Sequence, residues 1–190
     1  MNPILIDVHS VIETERLFLR APKPGDGPEV NSAIRYSLPE LKEWLDFAQT
    51  VPEVEDTEVN LREAIAKFFK KESFRYIIFE KETEVLVGVV SFDNVVWDIP
   101  KTQIGFWINS RYSGKGYMTE AVEGLTNYGL EELGFQRIEI LCDSKNTKSR
   151  QVPERLGYEL EGILKNEDRS PDGTELRDTC VYAKCAESSE

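Results

Sequence analysis

The sequence predicts a mixed α/β domain (α+β in arrangement), with one largely antiparallel sheet of about seven strands and helices on its faces. Alternating or apolar segments of strand length recur along the chain. Two of them flank a long amphipathic segment, and a strand, helix and strand in succession form a parallel crossover unit. The remaining strands fall into hairpins, so we expect one parallel pair within an otherwise antiparallel sheet.

The first half of the chain predicts a strand, a helical region and a hairpin. Leu17 and Leu19 share one face of the first strand. Pro39 favours two short helices over a single one in the region that follows, and Pro52 ends that region. The predicted elements are a strand at Glu13–Arg20, helices within Asp26–Gln49, a helix at Thr57–Lys71, and strands at Phe74–Glu80 and Val85–Phe92.

The second half predicts the parallel unit and a final hairpin. Gly134 and Gly157 each follow a helical pattern, where glycine commonly ends a helix. A loop at Asp93–Lys101 precedes this half, and a polar loop separates the last two strands. The predicted elements are strands at Gln103–Asn109, Arg137–Cys142, Tyr158–Lys165 and Leu176–Lys184, and helices at Tyr117–Leu133 and Asn146–Leu156.

Composition excludes several classes of function. The formal net charge is −12, which disfavours nucleic acid and anionic membrane as partners. No apolar run has the length of a membrane helix and no secretory signal is apparent, so we expect a cytoplasmic protein. Three cysteines and a single histidine show neither a disulfide framework nor the spacing of a metal site. We expect one domain over residues 1–190, with its core at about 12–184 and mobile termini.

The segment Arg111–Ala121 is the most specific in the chain. It follows a strand, opens a helix, and holds Gly114 and Gly116, which let the backbone turn sharply and approach a ligand. The first N–H groups of a helix have no intrahelical acceptor and suit a phosphate. The segment is neither a Walker A loop nor a dinucleotide fingerprint, because the required glycine spacing is missing. Arg111 and Lys115 could add positive charge or simply be solvated.

These features together resemble the GNAT acetyltransferase superfamily. The resemblance lies in the strand Gln103–Asn109, the Arg111-x-x-Gly114-x-Gly116 turn, and Asn146-x-x-Ser149 followed by Leu156-Gly157-Tyr158. The opening Thr14-Glu15-Arg16-Leu17-x-Leu19-Arg20, Leu41-x-x-Trp44-Leu45 and Val152-Pro153-Glu154-Arg155 are similar to the Rim branch, which acetylates N-termini of ribosomal proteins. The resemblance covers about Ile12 to Lys184 in the family's order.

The resemblance implies a GNAT fold with acetyl-CoA as cosubstrate and no metal. The strands Gln103–Asn109 and Arg137–Cys142 would splay into a V-shaped gap that holds the pantetheine arm, bonded by main-chain groups of the first strand. The pyrophosphate would take N–H groups of the glycine turn. The implied cofactor-binding residues are Phe106, Trp107, Ile108, Arg111, Gly114, Lys115, Gly116, Tyr117, Met118, Thr119, Asn146 and Ser149.

The implied chemistry is direct attack of an amine on the thioester, and the sequence departs from the family pattern at two positions. The Tyr that many members use as general acid is replaced by Pro153, which leaves Ser149 as a donor to sulfur, the role proposed in Rim-like relatives. Asn146 could share this site or serve only as a helix N-cap. Gln103 stands where relatives often carry Glu, and cannot act as base. The resemblance points to Asp168 instead, with Glu167 and Asp93 as alternatives; each is otherwise a solvated loop carboxylate.

The sequence does not determine the identity of the acceptor amine. Trp44 would line the acceptor side, or else be a core aromatic of a helix. We expect a primary amine, with a protein N-terminus favoured, a small amine such as an antibiotic or polyamine as one alternative, and a non-catalytic acyl-CoA-binding module as another. Family habit suggests a homodimer.

Overall fold

A computed structural model describes residues 2–187 of the chain. Met1 and residues 188–190 lie outside the described residues, so the predicted mobility of the termini falls partly on residues not described here. The helices are α1 Gly27–Leu41, α2 Val54–Lys70, α3 Tyr117–Glu131 and α4 Thr147–Arg155, with short 3-10 turns at Pro3–Leu5, Asp46–Ala48 and Ser110–Tyr112. The strands are β1 Val11–Glu13, β2 Leu17–Arg20, β3 Phe74–Glu80, β4 Leu86–Val96, β5 Lys101–Ile108, β6 Arg137–Asp143, β7 Glu159–Arg169 and β8 Leu176–Cys185.

Within residues 2–187 the strands form one eight-stranded sheet in the order β1-β2-β3-β4-β5-β6-β8-β7. Every neighbouring pair is antiparallel except β5 and β6, which are joined by the crossover helix α3. This confirms the predicted mixed sheet, with one strand more than expected.

The parallel pair separates part-way along its length. β5 and β6 are in register only from Lys101 opposite Arg137 to Gln103 opposite Glu139. Beyond that point β5 stays paired with β4 as far as Ile108, whereas β6 stays paired with β8 as far as Asp143. The sheet therefore opens into a V-shaped gap whose vertex lies at Gln103 and Glu139, as the family resemblance implied.

The sheet separates two apolar cores, because side chains of a strand alternate between its faces. On β3, Tyr76 and Ile78 pack on the face covered by α3 and by Phe68 of α2, and Ile77 and Phe79 pack on the face covered by α1 and the rest of α2. Leu125 of α3 is fully buried against the first face. Helices on both faces thus bury most of β3 and the first part of β4, whereas the end of β5 at the gap is only partly buried.

Two predictions for the N-terminal third are wrong. The segment Glu13–Arg20 is a hairpin of β1 and β2, not one strand, because the N–H of Thr14 donates to the carbonyl of Leu17 at 2.9 Å and closes a turn between them. α1 continues through Pro39 to Leu41, since the proline lies in the last turn, where only one backbone bond is lost. A 3-10 turn at Asp46–Ala48 takes the place of the second helix.

The later hairpins are longer than predicted. β4 and β5 extend across the segment expected to be a loop, so the connection shrinks to the turn at 97–100. β7 likewise runs on to Arg169, and its ladder with β8 contains irregularities near Gly162 and after Leu164. Asp168 is therefore a strand residue paired with Arg177, and the prediction that it lies in a loop is wrong.

Candidate active site

The V-shaped gap continues into a cleft of about 550 Å³. Its walls come from four parts of the chain: the end of α1 and the residues after it, the end of β5, the glycine turn with the start of α3, and the start of α4. Most of the residues predicted for cofactor and acceptor meet here. They are Trp44, Phe106, Trp107, Ile108, Gly114, Gly116, Tyr117, Met118, Thr119, Asn146 and Ser149.

The β5 wall presents backbone polar groups to the gap. The N–H of Asn109 donates to the carbonyl of Val87 at 2.8 Å, while Ile108 lies opposite Gly88 and Phe106 opposite Val90. Residues of an antiparallel ladder alternate between facing the partner strand and facing away from it. Phe106 and Ile108 therefore direct their backbone N–H and C=O groups away from β4, on the side where β6 has diverged.

Trp107 contributes differently. Its position in the ladder directs its backbone groups toward Val89 of β4. Its ring centroid lies 6.4 Å from that of Phe47, and its side chain packs on the core beneath α1. The expected main-chain bond from Trp107 to the pantetheine arm is therefore at odds with the register, and Trp107 forms part of the cleft wall instead.

The glycine turn has the backbone conformation that its sequence predicts. Gly114 and Gly116 have φ of +78° and +77°, in the left-handed region that glycine enters without steric cost. The first backbone bond of α3 runs from the N–H of Glu120 to the carbonyl of Gly116 at 3.1 Å. Within residues 2–187, the N–H groups from Gly114 to Thr119 have no hydrogen-bond acceptor. A run of such donors at the positive end of a 15-residue helix is a site for a phosphate group.

Hydrogen bonds to β4 and to α1 hold the start of the glycine turn in place. The buried side chain of Asn109 donates to the carbonyl of Leu86 at 3.1 Å and accepts from the N–H of Arg111. The N–H of Ser110 donates to the hydroxyl of Ser37, a fully buried residue of α1, at 2.8 Å. These bonds fix where β5 ends and place the last turn of α1 beside the cleft.

Asn146 and Ser149 open helix α4 at the opposite wall. The side-chain oxygen of Asn146 accepts from the N–H of Ser149 at 3.1 Å, so Asn146 is the N-cap of α4. The Ser149 hydroxyl has no hydrogen-bond partner within the described chain, and the residue lines the cleft. The structural role of Asn146 is thereby observed, and Ser149 has a hydroxyl free to donate into the cleft.

Three predicted residues lie off the cleft wall. The guanidinium of Arg111 stacks 3.7 Å above the ring centroid of Tyr36, and Lys115 is exposed with its ammonium 5.6 Å from the ring centroid of Tyr112. Asp168 is exposed on β7, where its carboxylate accepts from the N–H of Arg169. The carboxylates that line the cleft are instead Glu40 and Glu43, at the end of α1 and just beyond it.

Gln103 lies at the vertex of the gap and has a clear structural task. Its amide donates to the carboxylate of Glu139 at 3.1 Å and accepts from the side chain of Asn94 at 2.7 Å. Burial would raise the pKa of Glu139, but hydrogen bonds from Arg137 and Gln103 outweigh it and hold that pKa below its usual range. A glutamate at position 103 would face this charged carboxylate and be repelled by it, which Gln103 avoids.

The sequence reasoning missed four basic residues near the cleft. Lys145, Lys148 and Arg155 line the α4 wall, where their positive charge suits an anionic ligand. Arg16 reaches the glycine turn from the β1–β2 hairpin and bonds to Glu120. No local pattern reveals such a contact, because Arg16 and Glu120 lie 104 positions apart.

Residues 2–187 contain neither a candidate metal site nor a candidate membrane-spanning helix. No cluster of three or more histidine, cysteine, aspartate or glutamate side chains has the arrangement of a metal site within that range. No helix there combines the length and hydropathy needed to span a membrane.

Comparisons with known proteins identify the family. A profile of the acetyltransferase (GNAT) domain matches residues 16–159. The chain is 31% identical over 154 residues to YdaF of Bacillus subtilis (strain 168), whose name as a ribosomal N-acetyltransferase is provisional; the match covers 78% of this chain and 80% of that one. It is 29% identical over 148 residues to the ribosomal-protein-serine acetyltransferase of Escherichia coli (strain K12), again covering 78% and 80%.

A solved structure confirms the fold. The structure of RimL, a ribosomal L7/L12 alpha-N-protein acetyltransferase in complex with coenzyme A, superposes with a TM-score of 0.87. The match covers 94% of this chain and 99% of that one at 23% identity. With the profile spanning most of the sequence, the splayed sheet and the glycine turn in place, this chain belongs to the GNAT family of N-acetyltransferases.

Proposed function

We propose that this chain acts as a single domain that transfers the acetyl group of acetyl-CoA directly to the N-terminal α-amine of a protein. The observation that carries the proposal is the cleft itself, which joins the gap beyond Gln103 to the unpaired N–H groups of the glycine turn. Relatives named for acetylating ribosomal proteins support the choice of acceptor. The same relatives make the cytoplasm the expected place of action.

The residues present fit acetyl-CoA. The N–H groups from Gly114 to Thr119 suit its pyrophosphate, with Lys148 and Arg155 adding charge at the α4 wall. Backbone groups of Phe106 and Ile108 face the gap and would bond the pantetheine amides. When bound, acetyl-CoA supplies a thioester whose carbonyl carbon is open to an amine and whose sulfur leaves as thiolate.

The chain's own groups would serve each end of that reaction. A backbone N–H on the open side of β5 would donate to the carbonyl oxygen as negative charge develops on it. Ser149, with its free hydroxyl on the facing wall, would donate to the departing sulfur. Asn146 holds the helix start that carries Ser149, so we assign it a positioning role.

The acceptor side favours an α-amine over a lysine. An α-amino group has a reference pKa of about 7.7–8.0 and a lysine of about 10.4, so an N-terminus is partly neutral near pH 7 without a strong base. Two carboxylates line the cleft: Glu43, adjacent to Trp44 in the chain, and Glu40, which accepts from the Ser110 hydroxyl at 3.1 Å. We propose that they attract the amine, and that a base, where one is needed, acts from this rim and not from Asp168.

The cofactor is tested by thermal unfolding with acetyl-CoA, CoA and ATP. A ligand that binds only the native state stabilises it by about 2.7 kcal/mol at 100 times its Kd. For a domain of this size we expect Tm to rise by about 5 to 10 °C with acetyl-CoA and not with ATP. An unchanged Tm at millimolar acetyl-CoA would remove the basis of the proposal.

The acceptor is tested by release of the CoA thiol with matched amines. The panel contains a peptide with a free N-terminus and an internal lysine, the same peptide with its N-terminus blocked, and a polyamine. We expect thiol release with the free peptide alone. Release with the polyamine alone would favour a small-amine enzyme, and acetyl-CoA binding without release from any amine would favour a binding module.

A further inference from the structure

The opening motif Thr14–Arg20 places an arginine against the cofactor turn. The Nε of Arg16 donates to a carboxylate oxygen of Glu120 at 2.6 Å, and its Nη1 donates to the backbone carbonyl of Lys115 at 3.0 Å. The guanidinium carbon lies 4.6 Å from the ring centroid of Tyr117. Arg16 thus contacts the residue before Gly116, the residue after it, and the first turn of α3.

The bond to Lys115 fixes the direction of a donor on the opposite side of the peptide. The carbonyl of Lys115 and the N–H of Gly116 belong to one planar trans peptide, so they point in opposite directions. Because Arg16 holds the carbonyl on the hairpin side, the N–H of Gly116 is turned away from the hairpin. Gly116 also lines the cleft, where that N–H has no acceptor within the described residues.

Glu120 anchors the arginine and creates a charge that the arginine must balance. One oxygen of Glu120 accepts from the Thr14 hydroxyl at 2.6 Å and from the N–H of Arg16 at 2.7 Å, and the other accepts from Arg16 Nε. The Glu120 side chain is only 15% exposed. An unbalanced carboxylate in the first turn of α3 would repel a phosphate bound at that helix start.

We propose that Arg16 is a positioning residue for the pyrophosphate of the cosubstrate, which orients the Lys115–Gly116 peptide and neutralises Glu120 beside it. The inference rests on the proposed function, since it assumes that the glycine turn receives the pyrophosphate. It assigns a task to a motif at the start of the chain that is remote in sequence from the cleft. Both effects concern ground-state binding of the phosphate portion, so they belong to affinity for the donor and not to the acetyl transfer step.

The test compares two acetyl donors in wild type and Arg16→Ala. Acetyl-CoA carries the pyrophosphate, whereas S-acetylpantetheine has the same thioester and lacks it. Loss of a charged hydrogen bond should raise KM for acetyl-CoA about tenfold to a hundredfold in the variant. Because the transfer step is untouched, kcat should stay within about twofold of wild type, and kcat/KM with S-acetylpantetheine should do the same.

Two further variants separate positioning from general loss of structure. Arg20→Ala removes a second arginine of the same hairpin, which bonds Asp26 and is more buried than Arg16. This control should lower Tm at least as much as Arg16→Ala and leave KM for acetyl-CoA unchanged. Arg16→Lys keeps the charge without the two-armed geometry and should rescue only part of the KM effect.

Several results would overturn the inference. Equal losses with both donors, an equal KM effect in Arg20→Ala, or complete rescue by Arg16→Lys would each refute the positioning role, and so would a wild-type KM in Arg16→Ala. A failed proposed function looks different, since the wild-type protein would then use neither donor.

Discussion

Ser149 is the side chain on which the proposed chemistry depends most. Its backbone N–H donates to Asn146, whereas its hydroxyl has no partner among residues 2–187 and the residue lies on the cleft wall. We predict that Ser149→Ala lowers kcat at least about tenfold with little change in KM, because the lost donor acts on charge that develops only during the reaction. Steady-state thiol release measures both constants, and a kcat within about twofold of wild type would contradict this role.

Gln103 shows how one residue can be excluded from chemistry by its neighbours. It lies opposite Glu139 in the parallel ladder and donates to that carboxylate. We predict that Gln103→Glu lowers the free energy of unfolding by about 0.5 to 2 kcal/mol at pH 7, since a hydrogen bond becomes a like-charge contact. We also expect no gain in kcat, because position 103 is not part of the cleft wall.

The pH dependence of the stability lost in Gln103→Glu shows whether charge repulsion causes the loss. The repulsion raises the pKa of the introduced carboxyl in the folded state, so the destabilisation is full at neutral pH and fades as the pH falls and the pair takes up a proton. Gln103→Ala loses the hydrogen bonds without adding charge, so its deficit should fade less steeply, through the lost stabilisation of ionised Glu139 alone. Urea unfolding of both variants from pH 7 to pH 4 makes the comparison, and parallel deficits would argue against the charge explanation.

At the scale of single residues, the sequence predicts the cleft wherever the backbone itself forms the site. Gly114, Gly116 and the strand ahead of them lie as expected because short-range conformational rules dictate them. Asp168 and Arg16 were misplaced or missed because their positions depend on strand length and on pairing between distant segments. The cleft carboxylates Glu40 and Glu43 were missed for the same reason, since only the packing of α1 on the turn brings them there.

Substitutions at the two glycines that flank α3 can distinguish the effect of backbone strain from the effect on ligand binding. Gly116 precedes α3 with φ of +77°, and Gly134 follows it with φ of +75°; both are exposed. Valine rarely adopts a positive φ because its branched side chain clashes with the backbone. Each Val substitution should therefore lower the free energy of unfolding by about 1 to 3 kcal/mol. Only Gly116→Val should weaken acetyl-CoA binding, by at least about tenfold, because only that strain reorients the N–H groups of the turn.

Calorimetric titration with acetyl-CoA, beside urea unfolding, tests this pair. The substitutions are matched in residue type, backbone conformation and exposure, and they differ in the end of α3 that they distort. If both variants lost affinity in proportion to stability, the turn would have no special part in binding. If Gly116→Val bound normally, the phosphate would lie elsewhere.

At the scale of elements, the errors have a common physical origin. Periodicity located the central strands and α3 to within a few residues, because their buried faces repeat regularly. The β1–β2 hairpin was read as one strand because its turn, Thr14–Arg16, contains no glycine, proline or asparagine. α1 passes through Pro39 because buried Ile34 and Leu41 on either side pack on the same core. Tertiary packing overrode local preference in both places.

At the scale of the whole molecule, carboxylates join layers that the sheet alone would leave separate. Asp26, before α1, accepts from Arg20 of β2 at 2.7 and 2.8 Å, and its side chain is 7% exposed. Glu58 of α2 accepts from the N–H groups of Gly25 and Gly27 at 2.9 Å. The N-terminal helices are thereby tied to the sheet and to each other, and α1 in turn supports the glycine turn through Ser37.

This arrangement predicts a specific weakness in acid. Burial would raise the pKa of Asp26, but hydrogen bonds from Arg20 and from the N–H of Lys23 outweigh it, so its pKa lies below the usual range. A carboxyl with a lowered folded-state pKa contributes stability that is present above its unfolded pKa and is lost as the pH falls through the folded value. We therefore expect the free energy of unfolding to fall between about pH 5 and pH 2.

Asp26→Asn assigns that fall to its source. The variant should be less stable than wild type at pH 7, because the partly buried Arg20 loses its charged partner. Its stability should decline less steeply in acid, so that the two curves converge toward pH 2. Urea unfolding across the pH series provides the curves, and a variant curve that ran parallel to that of wild type would mean that Asp26 titrates normally.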